Sequence, residues 1–543
     1  MKKIFLILIT LTILGLVVCH REETGWIAVN STPEGAAVYL NDSLTSEVTN
    51  CVFEVQASEH YLKLTLEDYF DWEDSVVVEV DDTLKVNAEL ISIEEFGYIS
   101  ITSESKGAKV YLDGNLTGYI TDCILDSVPI GERTITLQLD DYKDWEKDIT
   151  VELDDTVHLN AYLIPDTIQP GDVLWKFEII GNTGLSSPGL GLDGTLYFTA
   201  DFVNYVYSYI YSLTLDGELY WSYELDEGWG ASPVIGVNGA VYVKTEYYVA
   251  LYAFELGGVY KWKYKVANEI GGTAPPHSPA IGNDGKIYSF FDDGRPFLCA
   301  LDQSGNSLWK RYFTCYSWEP SIGQDGTLYS VDTRGVLFVL TSNGQEKWTY
   351  SPLEVETVAI QGYFFSTPTS IDDDGTLYYG ISYEYYEEWM GCDFIAVNPD
   401  GTLKWKKHRE GRDVNIRFPP VIGGDGTLYV GIGNTFYALD SDGNTKWSYP
   451  ESGGMPVLSS DGVLYYGANN KLIALNTSGA LEWELDIPVV GTPVLSDDGV
   501  LCFGSTDGYY YAVYTGSHGL ANSPWPRFRH DNQNTGNAAW PIW

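Results

Sequence analysis

The chain has 543 residues, of which 44% are hydrophobic. That is enough to bury several cores, and it excludes a disordered tail. Its 76 acidic against 31 basic side chains give a formal net charge of −45, a field that repels phosphate backbones and anionic headgroups and argues against nucleic acid as a partner.

The N-terminus opens Met1-Lys2-Lys3, runs apolar from Ile4 to Val18, and reaches Cys19 just before the polar stretch His20 to Glu23. Charged start, short apolar run and polar exit are the layout of an export signal over residues 1–19. The run falls short of the about 20 residues that span a bilayer as a helix. Leu16-Val17-Val18-Cys19 resembles the lipobox of bacterial lipoproteins, which implies lipidation at Cys19. Val18 stands where that pattern has a small residue, so cleavage nearby to a free, secreted product stays open beside a lipid anchor. The remaining cysteines, Cys51, Cys123, Cys299, Cys315, Cys392 and Cys502, are scattered singly, with no CxxC pair, and the histidines show no HxxxH spacing. Neither a disulfide scaffold nor a metal site is expected.

Two copies of a unit of about seventy residues follow. Ser31-Thr32-Pro33-Glu34-Gly35-Ala36-Ala37-Val38-Tyr39-Leu40 aligns with Ser103-Glu104-Ser105-Lys106-Gly107-Ala108-Lys109-Val110-Tyr111-Leu112. Cys51 matches Cys123, Trp72-Glu73 matches Trp145-Glu146, and Asp81-Asp82-Thr83 matches Asp154-Asp155-Thr156. Alternating stretches such as Val76 to Val80 and Thr134 to Leu139 predict half-buried strands between Asx and Gly turns. Both copies resemble the PEGA domain, a small β-sandwich named for the tetrapeptide that stands here as Pro33-Glu34-Gly35-Ala36; the second copy keeps only the Gly-Ala. The resemblance implies extracytoplasmic spacer modules over 25–92 and 97–165 with no chemistry of their own. Cys51 and Cys123 lie in apolar stretches and are expected as buried small hydrophobes.

A second period runs from residue 171 to residue 543. Its copies begin at Pro188, Pro233, Pro279, Pro320, Pro368, Pro420, Pro456 and Pro493. Each is followed by an Asx-Gly turn, from Asp193-Gly194 to Asp498-Gly499, and by an aromatic strand. Most continue through a second strand and another turn to a Lys-Trp-type strand carrying Trp221, Trp262, Trp309, Trp348, Trp405, Trp447 or Trp483. Asx-Gly between alternating runs is a strong hairpin signal. Chained hairpins that cannot bury their faces alone predict radial packing, an all-β fold with an eight-bladed β-propeller, or seven blades as the alternative. Trp175 has a tryptophan strand with no element before it, and the last copy lacks one, so the first strand is expected to complete the last blade. The repeat resembles that of the pyrroloquinoline-quinone-type β-propellers, a group that includes outer-membrane assembly lipoprotein scaffolds. Enzymes of that group imply adjacent cysteines and a calcium held beside an Asp base. This chain has no adjacent cysteines, so no cofactor and no enzymatic activity are expected.

Asp372-Asp373-Asp374-Gly375 falls on the repeat's own turn and is expected to serve that turn rather than a calcium ion. Tyr205 to Tyr211 alternates and predicts a strand with an aromatic face. A second tyrosine-rich stretch, Tyr383 to Trp389, interrupts the repeat between a first and a second strand and is expected as a loop insertion; its Tyr383, Tyr385, Tyr386 and Trp389 are the candidate partner-binding residues. The tail from Trp525 to Gly536 concentrates Arg527, Arg529 and His530, which are expected to pair with propeller carboxylates and seal the ring. The leading expectation is a non-catalytic scaffold in the cell envelope or outside it, which binds an envelope or surface protein and meets the membrane only through a lipid at Cys19. The alternatives are a polysaccharide-binding surface protein, and a hydrolase or lyase built on the propeller.

Overall fold

The computed structural model describes residues 24–539, apart from 70, 91–95, 180–181, 192, 203–206, 226–227, 237, 246–249, 267–277, 353–362, 386–387 and 413. The export segment with Cys19, and Tyr386, fall outside the described residues. Every regular element among those described is a β-strand. Two compact units result: Met1–Ile99 with Leu125–Arg133 and Ile149–Val157, and Ser100–Ile124 with Thr134–Asp148 and His158–Trp543.

The first repeat is a sandwich of two sheets. One carries Thr24–Thr32 between Cys51–Gln56 and Thr83–Glu89; the other orders Ser43–Val48, Ala37–Leu40, Glu59–Thr65 and Trp72–Val77. Alternation along the strands sends Ile27, Val29, Val38, Leu62 and Leu64 inward, all fully buried. Strands of the second repeat follow the same order. The Gly-Ala shared by the two copies has a physical reason. Gly35 and Gly107 both sit at φ 92°, where a side chain is strained. Their amides, with those of Ala36 and Ala108, donate to the Oγ1 of Thr49 and Thr121 at 3.0–3.2 Å. Cys51 and Cys123 are half-buried rather than fully buried.

From residue 173 onward the described strands form eight sheets of four or five strands. Seven run in chain order, from Asn182–Leu185 through Leu481–Leu485. The eighth combines Val490–Leu495, Val500–Gly504 and Tyr509–Tyr514 with Val173–Glu178, which pairs antiparallel to the last strand. The tryptophan-bearing strand at the start of the repeat region therefore completes the final sheet.

A recurring contact closes these sheets into a ring. The indole of each outer strand lies against the turn glycine of the next sheet: Trp175 on Gly217, Trp221 on Gly258, Trp262 on Gly305, Trp309 on Gly344, Trp348 on Gly401, Trp405 on Gly443, Trp447 on Gly479 and Trp483 on Gly171. In six of these the indole N–H also donates across the seam, as from Trp447 to the Thr477 carbonyl at 2.8 Å. Because Trp175 belongs to the eighth sheet and Gly217 to the first, the series returns to its start. Within most sheets the same indole packs near the tyrosine of its own second strand, with ring centroids 5.6–6.0 Å apart. The sheets are thus blades of a propeller, and the Asx-Gly and Trp marks of the sequence are its seams.

The seam predicts a graded response. Trp447→Ala should cost about 3–5 kcal/mol by opening a cavity. Gly479 stands at φ 85° with a built Cβ only 2.7 Å from the Trp447 ring, so Gly479→Ala should cost about 1–3 kcal/mol. Leu481, 45% exposed on the same blade, should lose less than about 1 kcal/mol on truncation. Urea unfolding of the full chain followed by fluorescence checks the order, and equal losses at all three would remove the seam's role.

Candidate functional site

A ring of sheets leaves the inner edge of each blade facing the central channel, where unpaired backbone groups would be buried without partners. Inner strands here are as short as the two residues of Val421–Ile422 or Val457–Leu458. The C-terminal tail occupies that channel. Leu190, Ile235, Ile281 and Ile322 donate their amides to the carbonyls of Asn532, Gln533, Thr535 and Gly536, and Ile422 and Leu458 donate to those of Trp525 and Pro526, all at 2.7–3.0 Å. Asn532 Nδ2 reaches the Leu495 carbonyl of the eighth blade at 2.7 Å.

The repeat prolines explain the composition of the tail. Most stand at the entrance to an inner strand and Pro493 within one, where proline supplies a carbonyl but no N–H. Donor-rich side chains collect these carbonyls. Asn534 Nδ2 donates to Pro188 at 2.9 Å and Pro233 at 2.8 Å. Arg529 donates to Pro279 and, at 3.4 Å, to Pro320. Arg527 reaches Pro493 at 3.2 Å and Asn534 Oδ1 at 2.8 Å. Arg527, Asp531, Asn534 and Thr535 are completely buried. Burial pulls the Arg527 guanidinium down to about 10, against the opposing pull of Asp531. The expectation that these arginines pair with propeller carboxylates is corrected: their hydrogen bonds go to main-chain carbonyls and to Asn534, and carboxylates enter through the field of buried Glu319 and of Asp531. Burial in turn raises the Glu319 carboxyl, while Arg529 and Lys244 lower it.

Antiparallel strands place the turns of a blade at two ends. Turns between first and second strands and between third and fourth lie at one end; turns between second and third strands, and the links from blade to blade, lie at the other. The first end is engaged within the larger unit. Lys147 Nζ meets Asp497 Oδ2 at 2.8 Å, the Trp145 indole donates to Asp498 Oδ1, and the Tyr162 amide donates to Asp498 Oδ2 at 3.3 Å. The tail enters there too, with the Ser460 amide donating to the Gly519 carbonyl at 3.1 Å.

At the other end the fifth blade is the longest. Its strands Leu377–Tyr385 and Glu388–Val397 pair along their length and are flanked by Tyr363–Ser366 and Leu403–Glu410. The tyrosine-rich stretch expected as a loop insertion is therefore an extension of the sheet, its edges supplied by distant segments. Tyr383 is half-buried and its hydroxyl donates to Asp393 Oδ2. Asp393, 2% exposed, also holds His408 Nδ1 at 2.6 Å and Lys406 Nζ at 3.5 Å. Three strands are pinned by one carboxylate, an arrangement the sequence hid because its members lie on separate strands. Tyr385 and Trp389 lie at the end of the hairpin, where Tyr385 pairs with Glu388 and Trp389 with Glu384. The aromatic face expected around Tyr205–Tyr211 appears in its described part: Tyr211 stacks on Phe198 at 5.4 Å, and Phe198 stacks on Tyr510 of the eighth blade at 4.0 Å. Asp372 Oδ1 accepts from the Asp373 amide and Asp374 Oδ1 from Thr376, so both shape the turn.

Two measurements test the channel and its closed end. Asn534→Ala removes donors from two buried carbonyls and should cost about 2–3 kcal/mol; Asn534→Asp sets a carboxylate against the same carbonyls and should cost more. Urea unfolding that ranks the two the other way would oppose the assignment. Burial raises the Asp498 carboxyl to about 6, with Trp145 and Lys147 pulling it down. The folded state thus holds this proton more tightly than the unfolded chain, and the associated stability is complete below about pH 4 and lost as pH rises through about 6. The difference in unfolding free energy between the parent chain and Asp498→Asn should shift over that window, and parallel pH profiles would contradict it.

Comparison with known proteins agrees with this architecture. The PEGA domain model matches residues 24–93 and 96–166, and the model described as outer membrane protein assembly factor BamB matches 167–312 and 391–488. A search of curated proteins gave no match. Similar solved structures include BamB from Moraxella catarrhalis, 14% identical over 63% of this chain and 99% of that one with a TM-score of 0.46. A virginiamycin B lyase from Staphylococcus aureus is 13% identical over 63% and 98%, TM-score 0.40. A quinohemoprotein alcohol dehydrogenase from Pseudomonas putida is 15% identical over 66% and 78%, TM-score 0.46. The family matches and the strand pairing converge on one organisation: two PEGA domains followed by a BamB-like β-propeller region.

Proposed function

We propose that the chain is a non-catalytic interaction scaffold of the cell envelope, exported through residues 1–19, anchored by lipid at Cys19, and engaging partner proteins through the propeller end that carries the Tyr383–Trp389 hairpin. The observation that carries this reading is the filled channel. The chain's own tail sits on the inner strands of blades one to four and six to eight, where an open channel would otherwise offer room for a small substrate. With the opposite end engaged by Trp145, Lys147 and the start of the tail, partner contact falls to the strand-two-to-three turns and the blade-to-blade links. BamB-like propellers and PEGA domains both suit such a role in the envelope. Tyr385 and Trp389, at the paired end of that hairpin, are the proposed contact residues, and the Tyr383 hydroxyl on Asp393 holds the strands that carry them.

A photoreactive residue placed at Asn434, exposed in a strand-two-to-three turn, should give discrete protein adducts in envelope fractions, competed by excess unlabelled chain. The same residue at Asp442, exposed at the opposite end, should not. Equal labelling from both positions, or none from Asn434, would count against the proposal.

A further inference from the structure

We infer that the seam between the fifth and sixth blades, at the partner-facing end, is a docking groove for an acidic, partly apolar polypeptide segment. The inference rests on the scaffold reading and names the chemistry of what docks. In a chain of net charge −45, residues 404–417 carry six of the 31 lysines and arginines: Lys404, Lys406, Lys407, Arg409, Arg412 and Arg417. Strand alternation divides them. Lys406 turns with His408 toward Asp393, and Lys404 lies 3.7 Å from Asp374, so those two charges are matched inside the fifth blade. Arg409 turns toward the sixth blade, where its guanidinium stacks on Tyr437 at 4.3 Å and donates to the Tyr437 hydroxyl at 2.8 Å.

Beside it open two adjoining clefts. One of about 500 Å³ is lined by Arg409, Glu410, Arg412, Asn434 and Tyr437 among others. One of about 230 Å³ is lined by Arg417, Phe418, Gly431, Gly433, Asn434 and Gly453 among others. Gly433 and Asn434 line both, so the two clefts adjoin and are treated as one groove. Its lining includes Gly431, Gly433 and Gly453 together with the guanidinium groups of Arg409, Arg412 and Arg417. Arg412 and Arg417 are exposed, and Phe418 is 37% exposed beside Arg417.

Planar guanidinium forks match carboxylates in two-point contacts, which lysine clusters do not. Glycines in the lining let a ligand's main chain lie close, and the exposed Phe418 ring asks for an apolar side chain between the acidic ones. A polyphosphate or a uniformly charged polysaccharide would leave that ring unused. Glu410, in the same groove, opposes a ligand of unbroken negative charge and favours one that alternates acidic with apolar residues.

The test uses the purified full chain and a fluorescein-labelled peptide of alternating Glu and Leu, read by anisotropy. Saturable binding is expected, weakening as salt rises. It should fall by about tenfold or more in Arg412→Glu/Arg417→Glu, two exposed positions whose exchange should leave the melting temperature unchanged. Arg417→Lys, which keeps the charge without the fork, should bind at an intermediate level. The inference is overturned by any of three results: absence of saturable binding, equal binding of an alternating Lys and Leu peptide, or preference for inorganic polyphosphate. Repeating the Asn434 photo-crosslink in the double variant separates the two readings. If the peptide fails to bind while the parent's adducts persist, the groove inference falls and the scaffold survives; if adducts are also absent from the parent, the scaffold itself falls.

Discussion

The inner edge of a closed ring of sheets is the constraint on which this molecule depends. Eight blades turn their inner strands, most of them two residues long, to one axis, and an amide or carbonyl buried there without a partner is costly. The tail meets that demand with main chain against main chain for the amides, and with Asn and Arg side chains for the proline carbonyls. An arginine offers five donors and no acceptor, and an asparagine amide two donors beside one acceptor. A wall rich in carbonyls therefore selects a donor-rich plug. The completely buried Arg527 places its two terminal nitrogens on the Asp531 and Pro493 carbonyls and on Asn534 Oδ1, while its Nε is left without a hydrogen-bond partner among the described residues.

The two levels of closure act at different radii. Near the outside, indole meets turn glycine at every seam, and each such contact joins only neighbours. At the axis, single residues of the tail join blades directly: Asn534 bridges the first and second, and Arg529 the third and fourth. Completion of the eighth blade by Val173–Glu178 ties the start of the repeat region to the same ring. The nearest-neighbour additivity of open repeat arrays is therefore incomplete for this propeller, because one tail segment contacts blades one to four and six to eight.

How much of this was legible in the sequence follows from which partner each residue needs. Proline, Asx-Gly and tryptophan announce themselves because their roles are local: a missing N–H, a positive φ, a large ring. Strand periodicity, the PEGA units and the displaced first strand were readable for that reason. The partners of the tail were not, since every residue has a carbonyl and none advertises that it will be left unpaired at an axis. Arginines and histidine in an acidic chain suggested carboxylates as the default. The hairpin around Tyr383 misled in a similar way. Its register is fixed by Tyr363–Ser366, upstream of the inner strand, and by Leu403–Glu410, beyond the next turn, so an excess of tyrosine and glutamate resembled a loop. Asp393, with Tyr383, His408 and Lys406, needs three strands in register before it exists at all.

Sealing the axis determines where recognition can occur. In the proposed role, a propeller with an occupied channel works through its rims, and the rim opposite Trp145 and Lys147 holds both the longest hairpin and the densest run of positive charge in a strongly acidic chain. Elsewhere the field repels acidic segments, so such a segment meets attraction over a limited surface and arrives already oriented. Net charge and local patch then act in opposition by construction: the first keeps the molecule soluble and excludes anionic polymers at large, while the second admits an anion at one seam. Specificity of this kind comes as much from the repulsion around the groove as from the guanidinium groups within it.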